Sequence, residues 1–270
     1  MCLILFAYRV DPRAPLIVAA NRDEYFARPA APAALWADEP TVLAGRDLSA
    51  GGTWLGVSTA GRFAALTNFR NPATHRRDAP SRGELVNAFL TGRMSARSYV
   101  HGLARAAKPY NGFCLLAGDG DHLFFYSNRA EVPLEVEPGV HGLANHLLDT
   151  PWPKVVKGRA GLETLTGSPF SIDDHLALLD DTVPADERNM PQAGIDIERE
   201  RRLSSLRILS ADYGTRCSTV VRITSAGTID FAERSYRADG DIAGEVRYRL
   251  DVVGPRRADE ASPHEGSRPR

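Results

Sequence analysis

Short apolar runs closed by turn residues recur on both sides of a block with helical periodicity. This order restricts the fold more than any other feature of the chain. Leu3–Val10 and Pro15–Ala20, separated by Asp11-Pro12-Arg13, read as a hairpin. Gly52–Ser58 and Arg62–Asn68 form a second around Thr59-Ala60-Gly61. Helices follow. Ser81-Arg82-Gly83-Glu84 has the spacing of a capping box before LVNAFL, and Ser95 is placed to cap SARSYVHGLARAAK. Gly112–Gly118 and His122–Asn128 return to strand around Asp119-Gly120-Asp121. Residues 152–166 and 171–180 read as helices, the second opened by Ser171-Ile172-Asp173-Asp174. Residues 184–200, with Pro184, Pro191 and Gly194, read as a long loop of the kind that borders a site. Three strands close the pattern near 217–224, 228–236 and 245–250.

Strands on both sides of helices, without alternating βαβ units, predict an α+β fold with antiparallel sheets. No internal repeat or linker divides the chain, so residues 1–253 are expected to form a single domain. The final GPRRADEASPHEGSRPR, residues 254–270, has almost no apolar residue and is expected to be a disordered tail.

Charge narrows the function classes. Thirty-three basic and thirty-four acidic side chains leave a formal net charge of -1, which gives no footprint for nucleic acid or an anionic membrane. No apolar run approaches the ~18 residues of a spanning helix. The start MCLILFAY has neither a basic leader nor a small-residue cleavage site, so a soluble, cytoplasmic protein is expected. Three cysteines are too few for a disulfide scaffold. The seven histidines lack metal-ligand spacing, with His141 and His146 on opposite faces of a strand, and no metal site is expected. Neither a phosphate loop nor a dinucleotide fingerprint is present, so no cofactor is required. Nothing in the sequence specifies an oligomeric state.

Four places carry possible chemistry. Removal of Met1 would make Cys2 the mature terminus, with a thiol and an α-amine on one residue. An amine with a pKa near ~7.7–8.0 can take the thiol proton at neutral pH. The plain alternatives are a small hydrophobe, or a palmitoylation target, at a strand edge. Asn21-Arg22-Asp23-Glu24 ends the second strand near the start of the first. An arginine there lowers a thiol pKa and a carboxylate orients an ammonium or a substrate, although such a cluster also suits a solvated turn. Asn68 and Asn145 each follow a small apolar strand, as oxyanion donors or as turn residues. Arg216, ahead of the strand CSTVVRI, either charges a pocket floor or lies at the surface. Cys114, within GFCLLAG, reads as a core thiol.

With MCLILFAY, ANRDE, GGTWLGVS with LTNFRNP, GLANHLLDTPWPK and YGTRCSTVV in this order, the sequence resembles the NRDE, or transport-and-Golgi-organisation, family over roughly residues 1–250. That family in turn resembles the N-terminal-nucleophile cysteine hydrolases, such as bile-salt hydrolase and penicillin V acylase. The resemblance implies a four-layer αββα sandwich and cleavage of a C–N amide or thioester bond in a small amphipathic substrate. It implies Cys2 as nucleophile, Asn68 in the oxyanion hole, Asn145 as a second active-site asparagine and Arg216 near the nucleophile. Asn21, Arg22, Asp23 and Glu24 would then contact the substrate. The acylases separate their arginine and aspartate by three residues, usually with a tryptophan after them. Here Arg22 and Asp23 are adjacent, and Tyr25 takes the tryptophan's place. The family resemblance also implies an alternative without catalysis, in which the same pocket binds and moves haem or acyl-CoA.

Overall fold

A computed structural model describes residues 2–130, 132–190 and 196–253. The expected tail at 254–270, and Pro191 and Gly194 of the expected loop, lie outside the described residues.

The chain opens with an antiparallel hairpin, β1 (Leu3–Asp11) and β2 (Ala14–Tyr25). Both strands are buried on both faces through most of their length, which is why they read as continuous apolar runs. Next come β3 (Ala30–Leu35), β4 (Val42–Asp47), β5 (Leu55–Ser58) and β6 (Phe63–Asn68). Helices α1 (Gly83–Thr91) and α2 (Ala96–Ala106) precede β7 (Phe113–Gly118), β8 (Leu123–Ser127), β9 (Leu134–Glu135) and β10 (Gly139–Leu143). Helices α3 (Pro153–Thr166), α4 (Ile172–Leu179) and α5 (Ile197–Leu203) lead to β11 (Tyr213–Ile223), β12 (Thr228–Tyr236) and β13 (Ile242–Asp251).

These strands form two antiparallel sheets. One has the order β10-β1-β2-β11-β12-β13, and the other runs β3 through β9 in sequence order. The first buries one face under α3 and α4, with Leu3, Leu5, Ile17, Ala19, Leu162 and Leu176 between them. The second buries one face under α1 and α2 through Val86, Phe89, Val100, Phe113 and Leu115. Their inner faces meet over Phe6, Val18, Phe63, Leu116, Phe125 and Phe231. The architecture is therefore a four-layer αββα sandwich within an α+β fold.

Strand periodicity then decides where each polar residue points. On β1 and β2 the even-numbered Ile4, Phe6, Leu16, Val18 and Ala20 face the other sheet, whereas the odd-numbered Leu3, Leu5, Ile17 and Ala19 face the helices. Continued to the strand ends, the same alternation sends Cys2, Arg22 and Glu24 between the sheets and Asn21 and Asp23 toward the helix layer.

Several local expectations need correction. Ser81 does not cap α1: Arg82 occupies the cap position, with no side-chain capping bond. Ser95 and Ser171 do cap α2 and α4, accepting from the N–H groups of Ser98 and Asp174. The expected loop at 184–200 contains the first turn of α5, whose cap is Asp196. Three strands, β3, β4 and β9, fall where the sequence pattern predicts none.

A cysteine-centred cavity at the strand ends

The register places three side chains abreast. Leu3 pairs with Asn21, so Cys2 lies beside Arg22, and Arg22 pairs with Cys217 on β11. A bulge between Thr215 and Cys217 interrupts that pairing and leaves Arg216 without a partner on β2. Cys2, Arg22, Glu24, Arg216 and Cys217 thereby line one cavity of about 600 Å³. Trp54, Leu66 and Asn68 of the facing sheet line it too, as do Glu233 and the loop carrying Arg76, Arg77 and Arg82.

Cys2 is half-buried. Burial pushes its thiol above the ordinary range, while the Asp23 backbone N–H and the Arg22 guanidinium act the other way. Its own N–H donates to Asn145 Oδ1 at 3.0 Å. Asn145 has a φ of 51°, a left-handed conformation that asparagine tolerates. Its Nδ2 donates to the Asn68 carbonyl at 2.8 Å, and its own carbonyl accepts from Arg70 N–H at 2.8 Å. Asn145 therefore ties the start of β1 to the end of β6 across the two sheets. In this arrangement it positions Cys2 rather than lining the cavity; Asn68 is the asparagine that does line it.

The tetrapeptide at 21–24 divides by face. Asn21 is fully buried and away from the cavity: Nδ2 donates to the carbonyls of Leu179 (3.0 Å) and Leu206 (2.9 Å), and Oδ1 accepts from Ser218 Oγ at 2.6 Å. These bonds fasten β2 to the last residue of α4, to the chain beyond α5 and to β11. Arg22 is 9 % exposed, and its Nη1 has no hydrogen-bond partner among the described residues. Asp23 accepts from Thr215 Oγ1 at 2.7 Å and faces Lys154 Nζ at 3.6 Å. Glu24 folds back to accept the Tyr25 N–H at 2.9 Å. Arg216 donates to the carbonyls of Tyr25 (2.9 Å) and Arg28 (2.8 Å), stapling the exit of β2 to the cavity wall.

Three residues absent from the sequence-based site belong to it. Cys217 and Glu233 are both buried on the cavity floor, and the Glu233 carboxylate accepts the Ala33 N–H of the facing sheet at 2.7 Å. Burial, and after it the Glu233 charge, raise the Cys217 thiol well above the ordinary range. Lys154 is the third, only 2 % exposed. Helical spacing offered a signal for it, because 154, 158 and 162 share the face that α3 presents to β1. Among the described residues no group of histidine, cysteine and carboxylate side chains is arranged to hold a metal. No helix among them is long and apolar enough to cross a membrane.

Comparison with known proteins gives the chain its place. The family described as Transport and Golgi organisation 2 matches residues 1–238. The Transport and Golgi organization protein 2 homolog of Bos taurus is 39 % identical over 259 residues, covering 87 % of this chain and 93 % of its own. The Homo sapiens homolog is 37 % identical over the same share of each. Two solved hydrolases are more distant. A mutant conjugated bile acid hydrolase from Clostridium perfringens has a TM-score of 0.49 and 10 % identity, covering 93 % of this chain and 92 % of its own. The Caenorhabditis elegans ortholog of N-acylethanolamine-hydrolyzing acid amidase has a TM-score of 0.48 and 9 % identity, covering 81 % and 92 %. At that likeness neither fold nor activity is transferred. The extended match in sequence, by contrast, runs through every strand of the cavity but β13, and the chain belongs to the Transport and Golgi organisation 2 family.

Proposed function

We propose that the protein is a cysteine-dependent hydrolase of an amide or thioester bond in a small amphipathic substrate, with Cys2 as its nucleophile once Met1 is removed. The observation that supports this best is the position of Cys2 at the mouth of a strand, inside the cavity, with its N–H held by Asn145. The thiol gives its proton to the α-amine and the sulfur attacks the carbonyl. Asn68 donates to the resulting oxyanion. The intermediate collapses to an acyl-thioester on Cys2, and the leaving group takes the proton back from the α-ammonium. Water, deprotonated by the same amine, then releases the acid. A medium-chain acyl thioester or N-acyl amide mixed with the protein is expected to leave an acyl adduct on the N-terminal peptide, seen by intact and peptide mass spectrometry. Neither adduct nor product across both substrate classes would overturn the reading.

A second reading has its own support. Arg22 keeps a buried Nη1 unpartnered within a cavity that also holds Arg82 and Arg216. Such a site suits the anionic group of an amphipathic ligand held without cleavage. Haem and acyl-CoA are the ligands that the family resemblance puts forward. In that case saturable binding persists in Cys2→Ala and no turnover accompanies it.

A further inference from the structure

A buried ion pair, Lys154 with Asp23, lies behind Cys2 and takes no part in the hydrolytic scheme. Gly158 on α3 has no side chain, and a Cβ there would meet Leu5 Cδ1 at 2.6 Å. The helix therefore packs directly on β1. One turn earlier, Lys154 lies on the same helix face, nearer the start of that strand. Its Nζ stands 3.6 Å from Asp23 Oδ2. Asp23 is the residue after Arg22, and its backbone N–H acts on the Cys2 sulfur.

We infer that Lys154 is a positioning residue for the Cys2 chemistry, offsetting the Asp23 charge so that the carboxylate can orient the Cys2 terminus without suppressing its thiolate. The inference rests on the hydrolytic reading of Cys2. A lone carboxylate beside the thiol and the α-amine would disfavour the thiolate and hold the amine protonated. Both effects would move nucleophile formation to higher pH. With Lys154 in place, the pair is net neutral wherever its shared proton resides.

The other charges facing this point are few. Arg22 approaches the thiol from β2 and Arg82 from the chain before α1, and Arg70, in the chain beyond β6, also acts on Lys154. Arg70 pairs with Glu200 of α5 at 2.5 Å, which leaves that element balanced as well. From β11 the contact is Thr215, a neutral hydroxyl.

The test is the pH dependence of Cys2 alkylation by iodoacetamide, measured on the N-terminal peptide of the full chain. Lys154→Met should move the profile upward by about one unit, slowing labelling at pH 7 about tenfold. Asp23→Asn should move it downward. The double variant Asp23→Asn with Lys154→Met should return close to the wild-type profile, a rescue that a purely structural lysine would not give. Unchanged profiles in both single variants would overturn the inference, as would a double variant displaced further than either. If Lys154→Met does not fold, Asp23→Asn still decides the sign. The labelling readout needs no substrate. Profiles that shift as expected without any turnover remove the hydrolytic reading alone; unshifted profiles with Cys2-dependent turnover remove the role of Lys154 alone.

Discussion

Cys2→Ala is expected to reduce hydrolysis of any amide or thioester the wild-type protein cleaves by on the order of 10⁴-fold or more, with little change in stability. The loss is large because the scheme assigns to one residue both the attacking sulfur and the amine that moves its proton. The α-amine remains in Cys2→Ala, but it has no thiol to deprotonate. The fold should tolerate the change. Cys2 is half-buried at the entry of β1, and its bond to Asn145 comes from the backbone N–H, which alanine keeps. Steady-state kinetics together with urea denaturation separate the two effects. Turnover retained within tenfold of wild type would show that another group performs the attack. Ligand binding retained by a variant whose parent never turns over would favour the carrier reading.

Asn21→Ala is expected to have the second large effect, on stability. Its amide is fully buried and makes three bonds, two of them to the carbonyls of Leu179 and Leu206. Alanine leaves those two carbonyls without this donor, and a buried polar group left unsatisfied costs about 1–3 kcal/mol. A total loss of about 3 kcal/mol, read from the urea midpoint at constant m-value, is the expected result. Asn21→Asp, although nearly isosteric, should be at least as costly at pH 7, because a carboxylate cannot donate to either carbonyl. A loss below about 0.5 kcal/mol for Asn21→Ala, the range of an ordinary surface change, would contradict the clamp. The opening asparagine of the tetrapeptide thus serves the packing of β2, Arg22 and Glu24 point between the sheets, and Asp23 pairs with Lys154 of the helix layer.

Much of this architecture was legible in the residues because the central strands β1, β2, β7 and β8 are buried on both faces. Their apolar runs are long, and turn residues punctuate them. Strand β3 was not legible: AAPAAL is alanine-rich with a proline, a composition of low strand propensity that is tolerated at the sheet edge where β3 lies. Helix α5, IERERRL, has too few apolar residues to show a periodic face, and Glu200 is held through its pairing with Arg70. The cavity was half legible. Cys2, Asn68, Arg22 and Arg216 carry chemistry in their residue types and sit in recognisable stretches. Asn21 and Asp23 share the tetrapeptide with Arg22, but strand alternation sends them to the opposite face. Lys154 shares a helical face with Gly158 and Leu162, but a lysine on such a face is ordinarily exposed, and its burial becomes evident only when α3 is laid on β1. Cys217 sits on β11 and Glu233 on β12, and no local pattern specifies the register of β11 on β2 or of β12 on β11.

Cys2 is the proposed terminal nucleophile, and thiol labelling with intact mass analysis tests that role most directly. Cys114 is fully buried, with its thiol pushed up to about 12 by burial, and Cys217 is buried under Glu233. Protein purified under reducing conditions and treated with substoichiometric iodoacetamide at pH 7 should lack Met1 and carry its first label on Cys2. Retained Met1, or labelling of Cys114 or Cys217 ahead of Cys2, would contradict it.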